Sequence, residues 1–215
     1  MSKVRVSAYA VSADGFGAGP DQSLENPLGK RGPELMQWFF PTRTFRSQIL
    51  GLNDGTEGRD NDYAVAAMEG IGAWIMGRNM FAHSRGPRVD DGWQGWWGDV
   101  PPYHCDVFVL THFPRDPLTL ADTTFHFVTG GVDGALGRAR LAAGGKDIRI
   151  GGGAATVRQY LAKGQIDQLH IVQSPVLLGK GEPLFAGLDL AALGYKVTKS
   201  EATPAATHLT IERQS

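Results

Sequence analysis

Apolar residues alternate with polar or small ones over positions 3–12, a stretch rich in valine and alanine, and this period of two predicts a first β-strand at the centre of a sheet. Apolar runs at 73–76, 107–112 and 125–128 predict further buried strands, and each ends in small or hydrogen-bonding residues: Gly77, Thr111-His112 and Thr129-Gly130-Gly131. Positions 148–150 and 168–173 read the same way. Helical spacing fills the gaps. Pro33 and Glu34 in a first turn predict a helix over 33–40 that Pro41 ends or kinks. Ala64, Ala67 and Met68 mark the inner face of a short helix over 62–69. Leu136, Ala139 and Ala143 mark another, with Asp133 as its N-cap and Gly144-Gly145 as its stop. Alternation at 195–201 and 207–213 around Thr203-Pro204-Ala205-Ala206 predicts a terminal antiparallel hairpin, so the sheet is mixed.

The strand at 148–150 runs into Gly151, Gly152 and Gly153, which open a helix carrying Ala154, Val157 and Leu161 at helical spacing. Glycines let the backbone approach a phosphate closely, and the free N–H groups and positive end of the new helix favour an anion. The same run also fits a plain strand-to-helix turn that needs positive φ. Thr156 stands where a Gly-x-Gly-x-x-Gly fingerprint needs its third glycine, and no Gly-Lys-Ser/Thr follows for a P-loop. The first strand ends in Ser12-Ala13-Asp14-Gly15, a glycine-dense loop of the kind that receives ligands in α/β sheets, although an Asp-Gly turn needs no function. Arg78 after Gly77 can meet a phosphate in a bidentate way. The connection over 83–102, with Trp93, Trp96 and Trp97 among glycines and aspartates, reads equally as a binding lid or a packed ornament.

Composition narrows the classes. The 215 residues, 42% of them hydrophobic, suffice for the core of one domain. A formal net charge of −1 with interspersed signs gives no basic stripe for nucleic acid and no polybasic membrane segment. Cys105 is the single cysteine, and the start Met-Ser-Lys-Val-Arg-Val lacks the apolar run of a signal peptide, so a cytoplasmic location is expected. His104-Cys105-Asp106 resembles a ligand cluster, but consecutive side chains on an extended chain alternate sides, and no metal is expected there.

Four motifs occur in the order and strand contexts of a known superfamily: Ser-Ala-Asp-Gly at 12–15, Ile-Met-Gly-Arg at 75–78, Val-Leu-Thr-His at 109–112, and Ile-Gly-Gly-Gly at 150–153 before a Gln-Tyr-Leu helix. Together they resemble the dihydrofolate reductase-like superfamily. The stretch Ile-Asp-Gln-Leu-His-Ile-Val-Gln-Ser-Pro-Val-Leu-Leu-Gly-Lys-Gly-Glu-Pro-Leu-Phe, 166–185, is similar to the reductase domain at the C-terminus of bifunctional riboflavin-pathway deaminase-reductases, the RibD C-terminal family. The resemblance implies an α/β fold with a mostly parallel eight-stranded sheet, helices on both faces, a homodimer, and NADPH-dependent reduction of a small molecule. It also implies site residues. Gly77, Arg78, Asn79 and Met80 would meet cofactor phosphates, with Thr111 and His112 near the adenosine 2′-phosphate. Gly151, Gly152, Gly153, Ala154 and Thr156 would hold the pyrophosphate across a cis Gly151–Gly152 bond, and Ala10 and Gly131 would complete the cofactor contacts. Asp14 and Gly15 would lie near the nicotinamide and substrate, and Trp38 would wall the substrate pocket.

Two departures bear on the substrate. Gly151 occupies the position where riboflavin-pathway reductases carry a glutamate. The buried carboxylate that folate reductases place on their first helix has Glu34 as its candidate here, while the aligned position falls on Leu35. Asp14 and Glu34 are thus the candidate catalytic groups. Three readings follow: an NADPH-dependent reductase of a pterin- or pyrimidine-like heterocycle, a stand-alone 5-amino-6-(5-phosphoribosylamino)uracil or dihydrofolate reductase, and a non-catalytic nucleotide-binding protein.

Overall fold

The computed structural model describes residues 2–82 and 92–214. In chain order the elements are β1 (Val4–Ser12), α1 (Arg59–Met68), β2 (Ile71–Gly77), the single turn α2 (Arg78–Phe81), β3 (Asp106–Leu110), β4 (Leu118–Leu120), β5 (Thr123–Val128), α3 (Gly131–Ala142), β6 (Asp147–Gly152), α4 (Ala154–Ala162), β7 (Gln168–Ser174), β8 (Tyr195–Ala202) and β9 (Thr207–Arg213). Among the described residues the strands form one sheet in the order β4-β5-β3-β2-β6-β1-β7-β9-β8. From β5 to β7 every neighbouring pair is parallel, whereas β4, β9 and β8 join antiparallel. β1 is central and the C-terminal hairpin is present, as the alternation predicts. The sheet has nine strands rather than eight, because three residues of β4 fold back on β5, too few for a period to register.

One face of the sheet is covered by α3 and α4. Ile148 and Ile150 alternate toward it from β6, and Ala135, Leu136, Ala139, Val157 and Leu161 meet them. The other face has two clusters. Trp74, Met76, Val107 and Val109 pack under α2, and Ala10, Leu35, Trp38 and Val172 pack beside α1.

Two local expectations are corrected. Positions 33–40 form no α-helix: a 3₁₀ turn, Gly32–Met36, with i to i−3 bonds from Glu34 N–H and Gln37 N–H, gives way to further turns. Leu35 within this turn and Trp38 just beyond it are both buried. Asp133 is not an N-cap. Gly130 holds that position without a side-chain bond, and Asp133 inside the first turn of α3 accepts from Lys163 and Gln165 beyond α4, at 2.7 and 2.8 Å.

The central strand carries a bulge. Its register shifts between Val6 and Tyr9, with Ala8 at φ 54°. The polar groups freed there are taken by side chains of the flanking strands: Ala8 N–H donates to Nδ1 of His170 at 3.2 Å, and Arg149 donates to Ser7 C=O at 2.8 Å. The first bond fixes a chain of tautomers. With Nδ1 of His170 accepting, its proton lies on Nε2 and is donated to Nδ1 of His208 at 3.0 Å. The proton of His208 then lies on Nε2 and is donated to Asp60 at 2.8 Å. Tyr63 of α1 stacks on both imidazoles.

The neutrality of His170 makes the fold acid-sensitive. Its pKa is lowered to about 3, first by burial and then by His208, Arg149 and Lys199. In the unfolded chain it titrates near 6.5, so between about pH 6.5 and 3 the unfolded state binds a proton that the folded state refuses, and stability falls as pH falls. By pH 5 this amounts to roughly 1–2 kcal/mol. His170→Gln, whose amide can accept from Ala8 and donate to His208, should lose less stability between pH 7.5 and pH 5 than the parent in urea unfolding. Equal losses would remove His170 as the cause.

Candidate active site

Parallel pairing brings the carboxyl ends of six strands to one edge of the sheet. The registers Ser12 to Ser174, Met76 to Gly152, Gly77 to Leu110 and Leu110 to Val128 align them. The sequence-predicted cofactor residues divide into two groups along this edge.

The first group is the glycine turn. A Cβ on Gly151 would stand 3.1 Å from the Trp74 ring, and Gly152 has φ 136°. The cis bond is Gly152–Gly153, one peptide later than the resemblance implies, at the end of β6. Gly153 is the N-cap of α4, and Thr156 N–H and Val157 N–H make the first helical bonds to its carbonyl. The N–H groups before them have no intrahelical partner, and a Cβ on Gly153 would meet nothing within 4 Å. Thr156 is buried, and its Oγ1 would be 2.4 Å from a Cβ on Gly77. Only glycine at 77 lets the end of β2 touch the first turn of α4.

The second group surrounds a shallow hollow at the ends of β2, β3 and β5 that opens to solvent and encloses only about 10 Å³. Arg78 lies over the Phe113 ring at 5.3 Å. Thr111 Oγ1 accepts from Phe113 N–H at 3.0 Å, which leaves its own hydrogen available. Asn79 and His112 are exposed, whereas Met80 packs toward Gly151 and Gly152. Gly131, at φ 70°, starts α3 with open space around its Cα. The tryptophan-rich segment is anchored to α2: Trp93 donates to Phe81 C=O at 2.8 Å and Trp96 to Met80 C=O at 3.0 Å. For residues 92–97 the ornament reading therefore fits the bonds. The part of the connection at 83–91 lies outside the described residues.

The expected substrate residues sit further along β1. Asp14 accepts from Leu178 N–H at 3.1 Å and Gly179 N–H at 2.7 Å, tying the loop after β1 to the loop after β7. A hydrogen bond from Ser12 and these amides lower its pKa to about 2. Glu34 takes Arg31 in a two-bond fork at 2.8 and 2.9 Å, and that pairing holds its pKa below the usual value. Trp38 is 2% exposed, with Nε1 unpartnered among the described residues, and packs edge-on to His208 beside Ala10 and Val172. It stands in the core rather than on an open pocket wall. Gly15, at φ 88°, turns the loop.

Two residues of this edge escaped the sequence reading. The Tyr9 ring lies beside Gly152, and its hydroxyl would be 2.6 Å from a Cβ on Gly17, so it links the glycine turn to the first loop; burial pushes its pKa well above the usual tyrosine value. Arg115 lies over Phe127 at 4.9 Å and donates to Trp93 C=O at 2.9 Å. Alternation in β1 hints at Tyr9, but nothing in the sequence folds Arg115 back over β5. His104 turns to Asp122 at 2.8 Å, and among the described residues no group of three or more His, Cys, Asp or Glu could hold a metal. No described helix is long and apolar enough to cross a membrane.

Comparison with known proteins gives a consistent picture. A protein assigned to riboflavin biosynthesis from Shewanella sp. PV-4 is 25% identical over 100% of both chains, with a TM-score of 0.62. A diaminohydroxyphosphoribosylaminopyrimidine deaminase/5-amino-6-(5-phosphoribosylamino)uracil reductase from Thermotoga maritima is 15% identical, covers 99% of this chain and 57% of its own, and has a TM-score of 0.57, a likeness of fold. No curated protein sequence matches the chain. The family model of the RibD C-terminal domain matches residues 3–209, and the protein belongs to that family.

Proposed function

We propose that this protein is an NADPH-dependent reductase of a small pterin- or pyrimidine-like heterocycle. The observation that carries the reading is the convergence, on one sheet edge, of an open helix N-terminus at Gly153 and a hollow flanked by two guanidinium groups, joined through the contact of Gly77 with Thr156. The fit to a dinucleotide phosphate is supported by Arg115, which lines that hollow and has one terminal nitrogen buried and without a partner among the described residues. When bound, the cofactor supplies the hydride at its nicotinamide ring.

In this reading the first N–H groups of α4 bind the pyrophosphate, and Arg78, Thr111 and His112 bind the 2′-phosphate. Asp14 holds the loop after β1 against the loop after β7, beside the nicotinamide end. With a pKa of about 2 it has no proton to give near neutrality, and Glu34 is engaged by Arg31. That engagement also favours the third reading, a nucleotide-binding protein without catalysis. A substrate of the riboflavin pathway would lack a contact where Gly151 stands in place of the family's glutamate. A homodimer, implied by the family resemblance, completes the reading.

Oxidation of NADPH followed at 340 nm across a panel of pterins and ribosylated aminopyrimidines should identify one class of substrate. Binding without oxidation of NADPH by any of them would favour the non-catalytic protein. NADPH should bind more tightly than NADH by quenching of tryptophan fluorescence, and Arg78→Ala should remove much of that preference, since a hydrogen bond to a charged group is worth roughly 1.5–3 kcal/mol. Equal affinities of the parent for the two cofactors would count against the 2′-phosphate placement.

Gly153→Ala gives the sharper test of the glycine turn. Position 153 has φ −75°, and its added Cβ meets only the space where the pyrophosphate would sit. NADPH affinity should fall about tenfold or more, roughly 1.4 kcal/mol or above, with little change in thermal midpoint. Gly152→Ala is less informative, because φ 136° strains any side chain there whether or not a phosphate binds. Unchanged affinity in Gly153→Ala would reduce the turn to a structural one.

A further inference from the structure

We infer that Arg115 is a specificity-determining residue of the hollow at the ends of β2, β3 and β5, and that its free N–H receives a phosphate-monoester oxygen of the bound nucleotide. The inference rests on the reductase reading and deepens it. Arg115 is held by its surroundings before any ligand arrives: its guanidinium lies over Phe127 at 4.9 Å and Phe81 at 5.8 Å, and one terminal nitrogen donates to Trp93 C=O at 2.9 Å. The other terminal nitrogen is buried and has no acceptor among the described residues. A charged donor already stripped of water and left without a partner is costly, and an anionic oxygen is the acceptor that best removes that cost.

The neighbours point to the same ligand chemistry. Arg78, over Phe113, and the available hydroxyl hydrogen of Thr111 line the same hollow, and no carboxylate lines it among the described residues. Two guanidinium groups, each steadied on an aromatic face, thus flank one recess. Two positive charges and a hydroxyl donor suit a doubly charged phosphate monoester better than a neutral ribose hydroxyl or an adenine edge. The bond to Trp93 adds a consequence, because a ligand that engages Arg115 pulls on the segment anchored to α2 and alters the surroundings of an indole.

The experiment compares the parent with Arg115→Met, which keeps an apolar stem against Phe81 and Phe127 but loses charge and fork. Dissociation constants are measured by calorimetry for NADPH, NADH, adenosine 2′,5′-bisphosphate and 5′-AMP. The parent should prefer each 2′-phosphorylated ligand, and R115M should weaken those two by about 10- to 100-fold while NADH and 5′-AMP change by less than about threefold. Preference in R115M equal to that of the parent overturns the inference and leaves the reductase reading standing. Equal losses for all four ligands overturn it too, by making Arg115 a structural brace. A parent that binds none of the four overturns the reading and the inference together. Should R115M fail to fold, R115K, which keeps the charge but not the fork, should retain only part of the preference, and full retention would again overturn the inference.

Discussion

Six strands running in one direction oblige six carboxyl ends to emerge together, and everything proposed for this protein sits on that edge. A parallel ladder has both faces covered, because its crossovers place helices over them. The ends are then the one place where backbone and small side chains stay within reach of a ligand. The pairing of β6 between β1 and β2 is decisive. It puts the glycine turn beside Tyr9 on one flank and Gly77 on the other, so that a single substituent at Gly77 would drive Thr156 and α4 away.

Placing a strand at the centre of such a sheet has a cost when the strand is irregular. The bulge at Ser7 and Ala8 leaves an amide and a carbonyl inside the protein, where an unpaired group costs about 1–3 kcal/mol. β6 answers with Arg149 and β7 with His170. Arg149 is itself partly buried, lies 4.2 Å from the centre of the Trp74 ring and has its pKa lowered to about 9, first by burial. The histidine relay carries the requirement outward to Asp60 at the start of α1. One misregistered residue in β1 therefore fixes the chemistry of two neighbouring strands and a helix.

The parts of this arrangement that depend on backbone alone were legible in the sequence. Alternation located β1, β8 and β9, apolar runs located β2, β3 and β5, and three consecutive glycines located the turn before α4. What depends on side chains meeting across the fold was not. Asp133 looked like a cap because a cap needs only its own helix, yet its partners Lys163 and Gln165 lie some thirty residues on. Trp38 was placed on a pocket wall by the family resemblance, whereas its ring packs in the core against Ala10, Val172 and His208. Arg115 follows a proline in a polar stretch, so no local pattern records that it bends back over Phe127.

The two carboxylates singled out by sequence constrain the proposed reaction by being unavailable. Both oxygens of Asp14 accept from backbone amides, and both oxygens of Glu34 are engaged by Arg31, so a proton on either would break a bond that holds a loop. Neither group is suited to donate a proton near neutrality. In a hydride transfer at this edge the proton would then come from solvent, and an ionised Asp14 beside the nicotinamide end would act through its charge, favouring an acceptor that carries or develops positive charge, such as an imine-like carbon of a heterocycle. The opposite end of the edge is positive, at Arg78 and Arg115. In the proposed reading a dinucleotide laid across the edge would have its 2′-phosphate at these guanidinium groups, its pyrophosphate at the start of α4 and its reacting ring toward Asp14.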